Sequence, residues 1–207
     1  MQTISTTVYT FDELSDEAKE NARSWYREDG FSYDWWDQVY EDAYEIAKLM
    51  GLDIEPCGRN DCTHGISFSG FSSQGDGACF VGRYRPVQGA LKAVKEHAPQ
   101  NATLHSIAAE LDSVQEACGH SLSTVIKHTG HYSHSRSMSS DHEFDTERED
   151  LDFLSLEVRV EAALRDFADW IYEQLEELWD DINSDESVGE TILANEYTFT
   201  AEGKRFG

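Results

Sequence analysis

Positive charge is what this sequence has least of. Its 207 residues carry 16 lysines and arginines against 41 aspartates and glutamates, a formal net charge of −25. Such a chain repels nucleic acid and anionic membranes and is drawn to basic surfaces. There is no apolar run of the roughly 20 residues that a membrane helix needs. The start, MQTISTTVYTF, has neither the basic residues nor the apolar stretch of a secretory signal, so a cytoplasmic location is expected. Cysteine is scarce, with Cys57, Cys62, Cys79 and Cys118 alone, which fits reduced thiols better than a secreted disulfide scaffold. Also missing are a Gly-x-Ser-x-Gly elbow, a catalytic-cysteine signature, a Walker motif and any standard zinc spacing. No cofactor and no catalytic residue are therefore assigned, and the expectation is a non-enzymatic protein.

Aromatic residues are plentiful, at 12%, so the acidity is not that of a disordered tail. The charge is unevenly placed. Residues 12–55 carry a net −10 and residues 141–190 a net −16, whereas residues 56–140 carry +1 and the last seventeen are neutral. The acidic segments are the ones with helical periodicity. Ser15 is a natural N-cap before Asp16 and Glu17, and Ala18, Ala22, Trp25 and Tyr26 recur at helical spacing up to Asp29-Gly30. A second helix is predicted from near Asp34 to Leu49, with Trp35, Val39, Ala43, Ile46 and Met50 as its buried stripe and Gly51 as its stop. A long third segment, about Leu154 to Ile182, buries Leu156, Val160, Ala163, Leu164, Phe167, Ile171, Leu175, Leu178 and Trp179.

Between them lies the stretch Gly65–Tyr84. Ile66–Phe71 and Cys79–Tyr84 alternate and flank the glycine-rich Ser72–Gly77, the pattern of a hairpin. Further predicted elements are a first strand over Thr3–Tyr9, a short helix from Pro86 to about His97, and a helix over Ala102–Cys118 closed by Gly119. A strand is predicted over Leu122–Lys127, a turn at His128–His131, a strand over Tyr132–Met138 and a polar loop over Ser139–Asp150. A closing helix, Asp185–Asn195, and a strand, Tyr197–Thr200, complete the chain. Hairpins imply antiparallel pairing. The expected fold is a single α+β domain over residues 1–207, one antiparallel sheet built from hairpins with acidic helices packed on one face.

Four constellations bear on function. Asp76, between Gly75 and Gly77, suits either a hairpin connection with positive φ angles or an acid presented to a cation. His128, His131, His134 and His142 cluster in sequence, with His64 and His120 elsewhere. They read as turn and surface histidines by default, and otherwise as part of a metal site with Asp76. Ser67, Ser69, Ser133, Ser135 and Ser137 would line an uncharged sheet face, solvated or free for contact. Finally, Asp37, Glu41 and Glu45 are spaced four apart on one helix, and Glu161, Asp169, Glu173, Glu176 and Asp180 mark one side of another, interrupted by Arg165. Such rows are either a solubilising surface or a negative array resembling duplex phosphates.

The motif Phe68-Ser69-Gly70-Phe71-Ser72-Ser73-Gln74-Gly75-Asp76-Gly77-Ala78, with Leu14–Lys19 before it and Asn195–Thr200 after it, resembles a family of small acidic proteins encoded by bacteriophages and mobile elements, some labelled antitoxin components. The resemblance spans nearly the whole chain and carries over no catalytic residue. It implies a phage context, in which small acidic proteins occupy nucleic-acid-binding surfaces of host defence systems. The expected function is thus inhibition of a bacterial defence complex, of the anti-CRISPR or anti-restriction kind, in the host cytoplasm. The expected partner is a basic nucleic-acid-binding protein, not nucleic acid or membrane. The expected partner-binding residues are Asp37, Glu41, Asp42, Glu45, Glu173, Glu176, Glu177, Asp180 and Asp181, with no metal site. The alternatives are an antitoxin-like binder using the serine- and histidine-rich face around Ser133, His134 and Ser135, or a metal-dependent enzyme using Asp76 with His128, His131 and His134.

Overall fold

A computed structural model describes residues 6–30, 33–55 and 65–206, and the chain divides into two compact units: Met1–Trp36 with Glu177–Gly207, and Asp37–Glu176. The class is α+β, with antiparallel strands throughout.

In the first unit, β1 (Tyr9–Thr10) pairs with β8 (Thr198–Phe199). The expected strand over Thr3–Tyr9 is thus shifted, starting at Tyr9, while Thr3–Ser5 lie outside the described residues. Helix α1 (Asp16–Trp25) starts where its composition predicts: the Ser15 side-chain oxygen accepts the Ala18 amide at 3.3 Å, and Asp16 and Glu17 fill the first turn. One π-helical turn, Tyr26–Gly30, continues it. Ser184 caps α6 (Asp185–Ala194) by accepting the Ser187 amide at 3.1 Å. The faces of α1 and α6 meet through Ala18, Ala22, Val188 and Ile192, with Phe11, Leu14 and Phe199 between them. Arg205 lies over both Trp25 and Tyr197, its guanidinium carbon 4.9 and 4.8 Å from the ring centroids.

The second unit begins with α2 (Asp37–Leu49) and holds most of the sheet structure. Its four-stranded sheet has the order β2 (Leu52–Ile54), β5 (Gly82–Tyr84), β6 (Leu122–His128), β7 (Met138–Phe144), and beside it β3 (Ile66–Phe68) pairs with β4 (Ala78–Phe80). Among the described residues there are therefore three sheets, not one. The β1–β8 pair belongs to the first unit, and within the second unit the split between hairpin and four-stranded sheet falls at Gly82. The run Cys79–Tyr84 does not continue as one strand, because at Gly82 the backbone passes against β2 with φ +158°. A Cβ there would stand 2.1 Å from the Asp53 carbonyl oxygen. The first half of the run stays in the hairpin, Ile66 opposite Phe80, and the second half joins β2 and β6, Gly82 between Ile54 and Ile126.

Register then sorts the four-stranded sheet into two faces. Leu52, Tyr84 and Thr124 stand in one row with His142 and are buried, and burial pushes the Tyr84 hydroxyl up to about 12. Gln115 of α4 (Ala102–Cys118) donates to the Leu122 carbonyl at 2.9 Å, tying that helix to β6. The other face presents Asp53, Arg83, Val125 and Asp141 in one row. Helix α3 (Ala90–His97) begins four residues after Pro86, preceded by Gly89 at its N-cap with φ +78°, and so later than predicted. The core is built on α5 (Phe153–Ile182), whose end from Glu177 belongs to the first unit. Leu156, Val160, Ala163, Leu164, Phe167, Ile171 and Leu175 are buried as their spacing predicts, and Phe167 meets the Phe80 ring edge-on at 5.8 Å.

Two predicted elements exchange places. Tyr132–Met138 is not a strand: Ser135–Ser137 form a 3-10 turn. The His134 ring Nδ1 accepts the Arg136 amide at 3.0 Å, and Ser137 Oγ lies 2.6 Å from both the Tyr132 and the His134 carbonyl oxygens, which share its one proton. Side chains that satisfy their own backbone in this way compete with ladder pairing. Pairing resumes at Met138, so β7 covers the first half of the segment predicted as a polar loop, Ser139–Asp150.

Candidate partner-binding surface

Helix spacing decides which carboxylates face outward. On α2, Tyr40, Ala43, Ile46 and Ala47 point inward, which leaves Asp37, Glu41, Asp42 and Glu45 exposed. On α5 the inward stripe leaves Asp166, Asp169, Glu173, Glu177, Asp180 and Asp181 exposed, with Glu176 half-buried. All nine predicted partner-binding residues thus lie at the surface of their helices.

Their ion pairing differs. His97 of α3 stands between two of them, 3.2 Å from Asp42 and 3.7 Å from Glu45. Glu161, read from sequence as part of the α5 row, is turned to Arg165 at 3.0 Å and sits 3.5 Å from the His142 ring. By contrast, among the described residues no ion pair involves Asp37, Glu41, Glu173, Glu176, Asp180 or Asp181. The scarce arginines are committed elsewhere: Arg159 to Glu110 at 2.6 Å, Arg148 to Asp150 at 2.7 Å, Arg27 to Asp185 at 2.5 Å. The last turn of α5 holds no basic residue, so Asp180 and Asp181 face the negative end of the helix dipole. That placement costs about 0.3–1 kcal/mol per charge at low salt. Burial, and after it the neighbouring Asp169 charge, raises the Asp166 carboxyl above the usual range.

The outer face of the four-stranded sheet is balanced. Arg83 lies 3.7 Å from Glu55, and Lys127 pairs with Asp141 across β6 and β7. The excess charge is shared between helix and non-helix: α5 carries a net −7, and residues 141–152, the end of β7 and the segment after it, a net −6.

The other constellations resolve into local structure. The Asp76 carboxylate accepts the amides of Ser72 at 3.0 Å and Ser73 at 2.6 Å, closing its own loop, with Gly75 at φ +99°. His128 binds the Tyr132 carbonyl at 3.0 Å, and His142 lies apart, its Nδ1 3.0 Å from the Thr124 hydroxyl. Among the described residues no three His, Cys, Asp or Glu side chains are grouped so as to hold a metal ion. His64, Cys57 and Cys62 lie outside the described residues. The predicted serine face is not formed, because Ser135 and Ser137 lie in the turn and Ser133 precedes it outside any strand. Ser135 is buried, and Ser69 Oγ donates to the Ser133 carbonyl at 3.2 Å. Cys79 and Cys118 are buried free thiols, and burial raises the Cys79 thiol. Sequence reasoning missed two things: the His97 contact with α2, made across 55 residues, and two exposed apolar residues of α5, Leu154 and Val158. The latter were legible as positions one turn apart that fall off the buried stripe.

An α+β protein with acid-rich, base-poor helical surfaces is what the fold and these residues define, and among the described residues no helix is long and apolar enough to cross a membrane. The chain belongs to the DUF8835 family, a domain of unknown function matched over residues 35–185. No curated protein and no solved structure matches it.

Proposed function

We propose that this is a non-enzymatic, phage-type inhibitor of a bacterial defence complex, of the anti-CRISPR or anti-restriction kind, acting in the host cytoplasm. Its acidic helices occupy a basic site that otherwise binds nucleic acid. The observation that carries this reading is the division of ion pairs: the arginines within residues 141–190 are spent on Glu110, Asp150 and Glu161, and among the described residues no ion pair involves Glu173, Glu176, Asp180 or Asp181. Carboxylates held on a rigid helix, undiluted by bases, suit a groove built for phosphates. The resemblance of the glycine-rich hairpin motif to phage proteins supplies the context.

The test is a cleavage assay with a purified guide-RNA or restriction nuclease and duplex DNA. Inhibition is expected to fall as DNA concentration rises, as competition requires. It is expected to be lost on reversing Asp37, Glu41, Glu173 and Glu176 to Lys. Inhibition that persists in the reversed variant, or that DNA does not compete away, rules the reading out.

A further inference from the structure

The exposed side of α5 is not uniformly acidic. Its N-terminal turns carry Leu154 and Val158, 70% and 57% exposed, followed by exposed Ala162. Then come Asp166, Asp169 and Glu173, all exposed, and half-buried Glu176. At about 100° per residue these seven positions fall within an arc of about 120°, a single stripe about 33 Å long. The stripe begins at a firmly placed helix start: the Asp152 carboxylate accepts the Ser155 amide at 3.2 Å. Arg165 lies on the same arc, but its guanidinium is turned back to Glu161.

A leucine and a valine one turn apart, this exposed, have no role in the core that α5 builds with its opposite side. A second copy of this chain does not answer them. Antiparallel pairing would set the apolar end of one stripe against the carboxylates of the other, and parallel pairing would set carboxylates against carboxylates, in a molecule of net charge −25. The charge of the stripe selects its complement. We infer that the stripe from Leu154 to Glu176 docks an amphipathic basic helix of a partner protein. The partner's apolar side chains cover Leu154, Val158 and Ala162, and its lysines or arginines meet Asp169, Glu173 and Glu176. This rests on the acidic-surface reading above and deepens it: the partner surface is a helix with an apolar edge, not merely a positive field.

The test uses the full chain and two fluorescent peptides of identical composition. One is a Lys/Leu peptide of roughly 18 residues with leucines at helical spacing, and the other is its scramble, with the apolar face destroyed. The patterned peptide is expected to bind about tenfold tighter than the scramble, the value of covering one or two exposed aliphatic side chains. That advantage is expected to vanish in L154Q/V158Q, whose substitutions lie at the surface and leave the circular dichroism spectrum unchanged. E173Q/E176Q is expected to weaken both peptides alike. Equal affinity for the two peptides, or an advantage that survives in L154Q/V158Q, overturns the docking inference while leaving the acidic reading intact. Binding of both peptides unchanged in E173Q/E176Q overturns the acidic reading and the inference with it. Self-association of the free chain that disappears in L154Q/V158Q assigns the stripe to a second copy and also overturns the inference.

Discussion

Asp166 shows at the level of one side chain what the charge excess does to the fold. Partial burial and the Asp169 charge raise its carboxyl, so the folded state binds its proton more tightly than the unfolded chain does. The sign follows: the stability that this proton supplies is complete below the unfolded carboxyl range and is lost as pH rises through the raised folded value. At neutral pH Asp166 is therefore a net cost. Because Asp166 is largely exposed, Asp166→Asn is expected to raise Tm only slightly at pH 7 and to leave it unchanged near pH 3, as read by calorimetry at both pH values. An equal gain at both would locate the effect in packing, not in charge. Gly82 is the opposite case, a residue whose lack of a side chain is structural. A Cβ 2.1 Å from the Asp53 carbonyl cannot be accommodated without moving β2, so Gly82→Ala is expected to cost about 2–4 kcal/mol in chemical denaturation. A cost under about 0.5 kcal/mol would show that β2 and β5 are not so closely apposed.

At the level of elements, what could be read from sequence is what is decided locally. Helix α4 was legible to its ends because Asn101, accepting the Leu104 amide at 3.0 Å, and Gly119, at φ +69°, mark them within the sequence itself. The buried stripe of α5 was legible for the same reason, and with it the outward position of Glu173, Glu176 and Asp180. Strand β7 was not. It is an edge strand of serines and acids, and its strand state comes from pairing with β6, which no local pattern announces. Nor could the sequence show that Asp42 and Glu45 meet His97, or that Glu161 is spent on Arg165 and His142, because those partners are set by packing. The hairpin loop is an element whose logic is visible in both sequence and structure. Asp76 holds two amides, so Asp76→Ala is expected to destabilise the protein by about 1–2 kcal/mol, and Asp76→Asn by less, since the amide oxygen keeps one acceptor. Thermal denaturation of the two variants in parallel distinguishes this from a loop that tolerates both equally.

At the level of the whole molecule, the same −25 charge has opposite consequences for folding and for binding, and salt separates them. Among the described residues, Asp37, Glu41, Glu173, Glu176, Asp180 and Asp181 lack ion pairs that added ions could weaken, so screening mainly relieves repulsion within the chain. Raising sodium chloride from roughly 0.02 to 0.5 M, which shortens the Debye length from about 20 Å to under 5 Å, is expected to increase Tm by several degrees. Over the same range the affinity for a basic partner is expected to fall steeply, because the attraction that drives binding is long-range and solvent-exposed and salt screens it. The diagnostic is that the two responses have opposite signs and respond to the same residues. Reversing Glu173 and Glu176 to Lys is expected to flatten both the rise in Tm and the fall in affinity. A Tm that falls with salt would mean that internal ion pairs such as Arg159–Glu110 outweigh the repulsion. The acidic helices would then be a self-neutralised surface with no reason to seek a cationic partner.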